Sequence, residues 1–164
     1  MKYFYEIPAK SQIAAELLGF AHSVTRWEQY YNFDAAVVPP ELLFKDPVMA
    51  RLLNDYTIVA GILRMPENTC YRWHTDTDRK VAVNMLLEDG GGSRCSFAND
   101  CSGVSFPITE LKYQPNTYYV FDTQEMHSVS NFTTPRYLFS VEFFGKDRPM
   151  GFKKLQSDLQ AIWN

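Results

Sequence analysis

Three histidines stand in the chain, His22, His74 and His127, and two of them sit among residues that could do chemistry. His74 opens the triplet His74–Thr75–Asp76 inside YRWHTDTDRK. Residues two apart on a strand project to one face, so an imidazole and a carboxylate could converge there on one ion. The pair alone is ambiguous, because a solvated strand edge carries such residues as readily. His127, at the head of HSVSNF, adds a second imidazole. Two neutral imidazoles and one carboxylate leave open positions on an octahedral metal, the ligand pattern of non-haem Fe(II) oxygenases. A catalytic zinc on the same three donors is the competing reading. Asp78 is a weaker alternative to Asp76, since it lies further into the turn. His22 falls in a helical pattern among apolar neighbours and is read as structural.

Arg136 follows His127 across the segment NFTTP, at the start of RYLFSVEFF. Read as a hairpin turn, NFTTP puts His127 and Arg136 on adjacent strands facing one interior. A buried cation is costly unless an anion meets it, and a dicarboxylate gripped by bidentate guanidinium hydrogen bonds would be such an anion. Alternation along the strand places Leu138 and Ser140 on the face of Arg136, so the Ser140 hydroxyl could support the same carboxylate. On KVAVNMLL the inward set is Ala82, Asn84 and Leu86. Asn84 is then either a contact to the metal-proximal side of a cosubstrate or a satisfied core amide. Arg72, Trp73, Arg79 and Lys80 flank the donors and form either an entrance for an acidic or aromatic substrate or a solvated strand edge.

The elements that must position these residues are legible in outline. KYFYEI reads as a first strand, followed by a helix over SQIAAELLGFAHSVTRW with Ser11 as its N-cap. DPVMARLLNDY repeats the helical signal, with Asp46 as cap and Pro47 in the first turn. From Tyr56 the texture changes to eight short β-rich runs, YTIVAGILRM, CYRWHT, KVAVNMLL, RCSFA, FPITELKY, TYYVF, HSVSNF and RYLFSVEFF, separated by clusters of Gly, Pro, Asn and Asp. The triple glycine Gly90–Gly92 lacks the lysine of a phosphate-binding loop and is read as a hairpin turn. The expected fold is mainly β, a jelly-roll or cupin-like barrel with N-terminal helices packed on one sheet and a short C-terminal helix. One domain is expected over residues 1–164, with a helical front at about 8–55, a barrel at about 56–145 and a tail at 146–164.

Composition bounds the rest. A net charge of -3 over 164 residues gives no footprint for nucleic acid or an anionic membrane. Cys70, Cys95 and Cys101 are odd in number and lack a paired CxxC spacing, which argues against both a disulfide framework and a cysteine zinc site. A cytoplasmic protein is expected, with no secretory signal or membrane span in the sequence. Oligomeric state is not legible.

The set His74-x-Asp76, His127 and Arg136, carried on eight strands, resembles the Fe(II)/2-oxoglutarate-dependent dioxygenases, closest to the prolyl-hydroxylase-like branch and its small phage and bacterial members. The resemblance covers most of residues 56–145 and implies a double-stranded β-helix. It implies that His74, Asp76 and His127 bind Fe(II), that Arg136 grips the distal carboxylate of 2-oxoglutarate with Ser140 beside it, and that Tyr71, with Arg72, stands at the substrate entrance. It implies hydroxylation of an amino acid, peptide or protein side chain, with O2 consumed and succinate and CO2 released. Three positions qualify this. Leu86 stands where related prolyl hydroxylases often place a tyrosine on the cosubstrate. Glu142 stands where the nucleic-acid demethylating branch carries a second arginine, so nucleic acid is not the expected partner. Asp76 is present where halogenating members have a small residue. A cupin-like, non-oxidative metal-dependent enzyme and a catalytically silent metal- and 2-oxoglutarate-binding module remain as alternatives.

Overall fold

Alternation of apolar and polar residues builds the body of the molecule. The computed structural model describes residues 3–99, 101–103 and 105–163. The elements run β1 (Phe4–Lys10), α1 (Ala14–Ser23), β2 (Glu28–Tyr30), β3 (Phe33–Val37), α2 (Pro40–Leu43), α3 (Pro47–Asp55), β4 (Ile58–Met65), β5 (Thr69–His74), β6 (Ala82–Glu88), β7 (Arg94–Ala98), β8 (Thr109–Leu111), β9 (Thr117–Phe121), β10 (Met126–Asn131), β11 (Arg136–Phe143) and α4 (Phe152–Trp163). Two antiparallel sheets face each other. One has the order β1-β9-β6-β11-β4-β3-β2, the other β5-β10-β7-β8.

The two faces of β11 show how the sequence sorts itself. Phe139, Val141 and Phe143 point to the outer core, where Leu17 and Ala21 of α1 and Leu155 and Leu159 of α4 cover the larger sheet. Leu138 points the other way, into the inter-sheet core with Leu63, Met65, Ala82, Phe97 and Phe121. The same alternation sends Val83 and Met85 outward and Ala82 and Leu86 inward, as expected for that strand. The helices thus brace one sheet from behind and leave the space between the sheets for the site.

The front of the chain differs from expectation in three ways. α1 ends at Ser23, and residues 28–37 form the β2–β3 hairpin instead of continuing helix, with Gln29 paired to Asp34 and Tyr30 to Phe33. Aromatic and β-branched residues in EQYYNFDAAVV favour strand, and Tyr31 takes the left-handed turn conformation at φ 53°. Ser11 is not the cap of α1. Its hydroxyl, three residues before the helix begins, accepts from Ile13 N–H, and Ile13 is the cap, without a side-chain bond. Asp46 does cap α3, accepting from Val48 and Met49 N–H, and its other oxygen accepts from Gln12 N–H. One buried carboxylate therefore ties the β1–α1 connection to α3.

Two expected hairpins are crossovers. Gly90–Gly92 all have positive φ, but they join β6 in the larger sheet to β7 in the smaller. NFTTP likewise carries the chain from β10 to β11, across the two sheets. His127 and Arg136 therefore stand on facing sheets, not on adjacent strands. A jelly roll alternates its strands between two layers, and turn composition alone does not reveal that switch. Gly90 is required where it is: a Cβ there would sit 2.7 Å from the Thr134 carbonyl oxygen and 3.0 Å from the Arg136 Cβ.

Candidate metal centre and cosubstrate pocket

β5 and β10 pair so that His74 lies directly opposite His127, with ring centroids 4.2 Å apart. The Asp76 backbone N–H donates to the Thr123 carbonyl at 2.9 Å, which fixes the loop after β5 against the turn before β10. That bond brings the carboxylate between the rings: Asp76 Oδ1 is 3.4 Å from His74 Nε2 and 3.6 Å from His127 Nε2. A donor atom from each of the three residues lies within 4.8 Å of the others.

Tautomers follow from the hydrogen bonds. His74 Nδ1 meets the Arg72 carbonyl at 2.7 Å, and His127 Nδ1 meets the Glu125 carbonyl at 2.9 Å. A carbonyl only accepts, so both rings carry their proton on Nδ1 and present a bare Nε2 lone pair to the centre. His74 Nε2 is buried without a hydrogen-bond partner. Burial, with His74 close by, pushes the His127 imidazole down to about 4, so it is neutral at physiological pH. Burial by itself would raise the Asp76 carboxyl, but the Arg79 guanidinium beside it outweighs that and holds the group below its ordinary value. Two imidazoles presenting Nε2, one carboxylate and an unsatisfied buried nitrogen fit a divalent ion with open positions. Asp78 is not part of this set; it points to the Tyr31 hydroxyl and to Arg148.

A cavity of about 210 Å³ opens onto His74 and Asp76. Its walls are Tyr30, Tyr31, Phe33 and Tyr71, together with Arg79. Tyr71 lies over His74 with centroids 3.9 Å apart and meets Phe33 edge-on. Arg72, by contrast, is exposed and lines a neighbouring groove along β5, so only its carbonyl serves the centre. The β2–β3 hairpin that supplies three of the four rings was invisible as a site element; the aromatic cluster Tyr30–Tyr31 and Phe33 was the available signal.

Arg136 is buried at 2% exposure, and its Nε donates to the Ser93 hydroxyl at 3.1 Å. The guanidinium lies 5.9 Å from the Tyr113 ring, whose hydroxyl is buried without a hydrogen-bond partner. Burial and the neighbouring Cys95 thiol raise the Tyr113 phenol well above its ordinary value, so it stays a donor. Ser93, Tyr113 and Arg136 line a second cavity, of about 770 Å³. Ser140 and Asn84 pair across β11 and β6, facing the inter-sheet space. The Ser140 hydroxyl accepts from Arg79 Nη1 at 3.4 Å, and Asn84 Oδ1 is buried without a partner. Sequence reasoning missed Ser93 and Tyr113, which reach Arg136 only through the loops after β6 and β8.

No protein-family model and no curated protein sequence matches the chain. Solved structures do. A prolyl-4-hydroxylase from Pseudomonas putida superposes with a TM-score of 0.64 at 12% identity, over 86% of this chain and 91% of that one. An oxidoreductase of the 2OG-Fe(II) oxygenase family from Burkholderia pseudomallei gives 0.60 at 13% identity, over 85% and 82%. The fold is that of the iron/2-oxoglutarate oxygenases. A prolyl hydroxylase from Trichoplax adhaerens, in complex with a peptide fragment of the hypoxia inducible factor oxygen degradation domain, also gives 0.60, at 16% identity over 94% and 86%. The oxygenase fold accounts for the two facing sheets and the covering helices, and it is the expected jelly roll. Among the described residues no helix is long and apolar enough to cross a membrane, and Cys70 and Cys95 are free thiols.

Proposed function

We propose that the chain is one oxygenase domain that uses Fe(II), 2-oxoglutarate and O2 to hydroxylate an amino acid, peptide or protein side chain in the cytoplasm. The observation that carries this reading is the pair of imidazoles with Nδ1 tied to backbone carbonyls and Nε2 converging on Asp76 Oδ1 in an oxygenase fold. His74, Asp76 and His127 would hold the iron. With its cosubstrate, the iron supplies oxidation of an unactivated C–H bond, driven by conversion of 2-oxoglutarate to succinate and CO2.

The protein's own residues bind and orient. Arg136 receives the distal carboxylate of 2-oxoglutarate. Ser93 already accepts from its Nε, and the unpartnered Tyr113 hydroxyl is free to donate to the same carboxylate. That phenol takes the part left open by Leu86. Ser140 and Asn84 lie side by side on the inner face of β11 and β6, where they would line the cosubstrate. Tyr30, Tyr31, Phe33 and Tyr71 line a space smaller than a drug-sized pocket, which suits one aliphatic side chain. The free thiols of Cys70 and Cys95 agree with a reducing, cytoplasmic location.

The test is succinate formation when air is admitted to protein, Fe(II) and 2-oxoglutarate. The reading expects succinate above a no-protein control, lost in Asp76→Ala and His127→Ala. Binding of both components with no succinate under any substrate tried would favour a silent binding module. Binding of neither would remove the reading.

A further inference from the structure

Asp76 has two carboxylate oxygens, and the fold treats them differently. Oδ1 faces the two histidine Nε2 atoms. Oδ2 accepts from Arg79 Nε at 2.5 Å. Arg79 is itself held at several points. Nη1 donates to the Ser140 hydroxyl at 3.4 Å, and the Arg79 carbonyl accepts from the Thr123 hydroxyl at 2.7 Å and from Gln124 Nε2 at 3.0 Å. Gln124 Nε2 also donates to the Asp76 carbonyl at 2.9 Å. The Asp76–Arg79 loop is therefore clamped at both ends by the turn that leads into His127. Tyr30 and Glu142 lie close enough to interact electrostatically with the guanidinium.

A carboxylate with both oxygens unrestrained can chelate an ion through either or both. With Oδ2 engaged, only Oδ1 is presented, and the side chain is held in the rotamer that faces the imidazoles. A guanidinium suits that role because Nε and Nη1 can engage two acceptors in one plane. The surface-strand reading of Arg79 does not apply, since its side chain is 19% exposed and it walls the cavity beside the donors.

We infer that Arg79 is a positioning residue of the metal centre, which holds Asp76 as a one-oxygen ligand by engaging Oδ2 and so sets the affinity of the site for its divalent ion. The inference rests on the reading of His74, Asp76 and His127 as ligands. Partners of metal ligands typically change affinity by roughly ten- to a hundredfold when removed.

The experiment measures Co(II) affinity of the full chain without cosubstrate, by competition with a chromophoric chelator, together with the visible spectrum of the bound ion and the melting temperature of the metal-free protein. Arg79→Gln should weaken Co(II) about tenfold or more and alter the ligand-field bands, and the metal-free protein should melt lower because Asp76 loses its cationic partner. Arg79→Lys keeps a cation near Oδ2 and should recover most of the affinity. Unchanged or tighter Co(II) binding in Arg79→Gln would overturn the inference, because Arg79 would then be neutral or a competitor for the carboxylate. Should Arg79→Gln not fold, Arg79→Lys decides, and a tenfold or larger loss of Co(II) affinity there counts against the inference. Loss of Co(II) in Asp76→Ala and His127→Ala shows the metal reading standing independently. If those two variants bind as wild type, the metal reading fails, and the inference with it.

Discussion

Replacing Arg136 with methionine should stabilise the metal-loaded protein in the absence of 2-oxoglutarate and abolish its response to that ligand. Arg136 is 2% exposed, takes part in none of the ion pairs found among the described residues, and has one neutral hydrogen-bond partner, Ser93. A buried ion without a counter-ion costs several kcal/mol even after relaxation. A hydrogen bond from a charged group returns about 1.5–3 kcal/mol of that. Methionine keeps most of the aliphatic stem and removes the charge, so a gain of about 1–3 kcal/mol is expected, the range seen when buried ions give way to apolar side chains. For a chain of this size each kcal/mol raises Tm by about 2–4 °C. In the wild type, 2-oxoglutarate at a hundred times its Kd should add about 2.7 kcal/mol; in Arg136→Met it should add nothing. The assay is thermal unfolding with Ni(II) as an inert ion, with and without 2-oxoglutarate. A variant that melts lower than wild type and still responds to 2-oxoglutarate would refute the reasoning on both counts.

Other perturbations have equally definite signs. Tyr113→Phe removes the unpartnered phenol beside Arg136, so it should weaken 2-oxoglutarate about tenfold by calorimetry and leave 2-oxobutyrate, which lacks the distal carboxylate, unaffected. The folded His127 sits at about 4 against an ordinary 6.5, so the unfolded chain binds more protons between those values and stability falls as pH drops through them. Urea unfolding of the metal-free protein should show a loss of about 2–3 kcal/mol between pH 7 and pH 4, reduced in His127→Gln. Asp46→Ala removes acceptors for Gln12, Val48 and Met49 N–H at a fully buried position and should cost about 2–4 kcal/mol in the same assay.

The parts of the site that the sequence carried are those with a strict period or a chemically distinctive residue. His74 and Asp76 were readable because a strand of alternating residues ends there, and Ser140 and Asn84 because β11 and β6 keep a regular register around that pair. What escaped was long-range. His127 and Arg136 were placed on one hairpin because NFTTP has turn composition, and a turn that changes sheets looks the same as one that does not. The β2–β3 hairpin was hidden by a helical pattern just upstream, and its turn at Tyr31 and Asn32 lacks a glycine. Tyr113 and Ser93 sit in loops of no period, so nothing in their spacing links them to Arg136. Arg79 was visible as a charge near the donors, but its attachment to Oδ2 depends on a clamp from Thr123 and Gln124, more than forty residues away.

The central claim is that the chain holds iron through His74, Asp76 and His127 and 2-oxoglutarate through Arg136. Anaerobic addition of Fe(II) and then 2-oxoglutarate to the purified protein tests it directly by visible absorption. The account predicts a charge-transfer band that needs both components, absent in His127→Ala and much weakened in Arg136→Ala. Tight zinc binding with no band on any addition of Fe(II) and 2-oxoglutarate would contradict it.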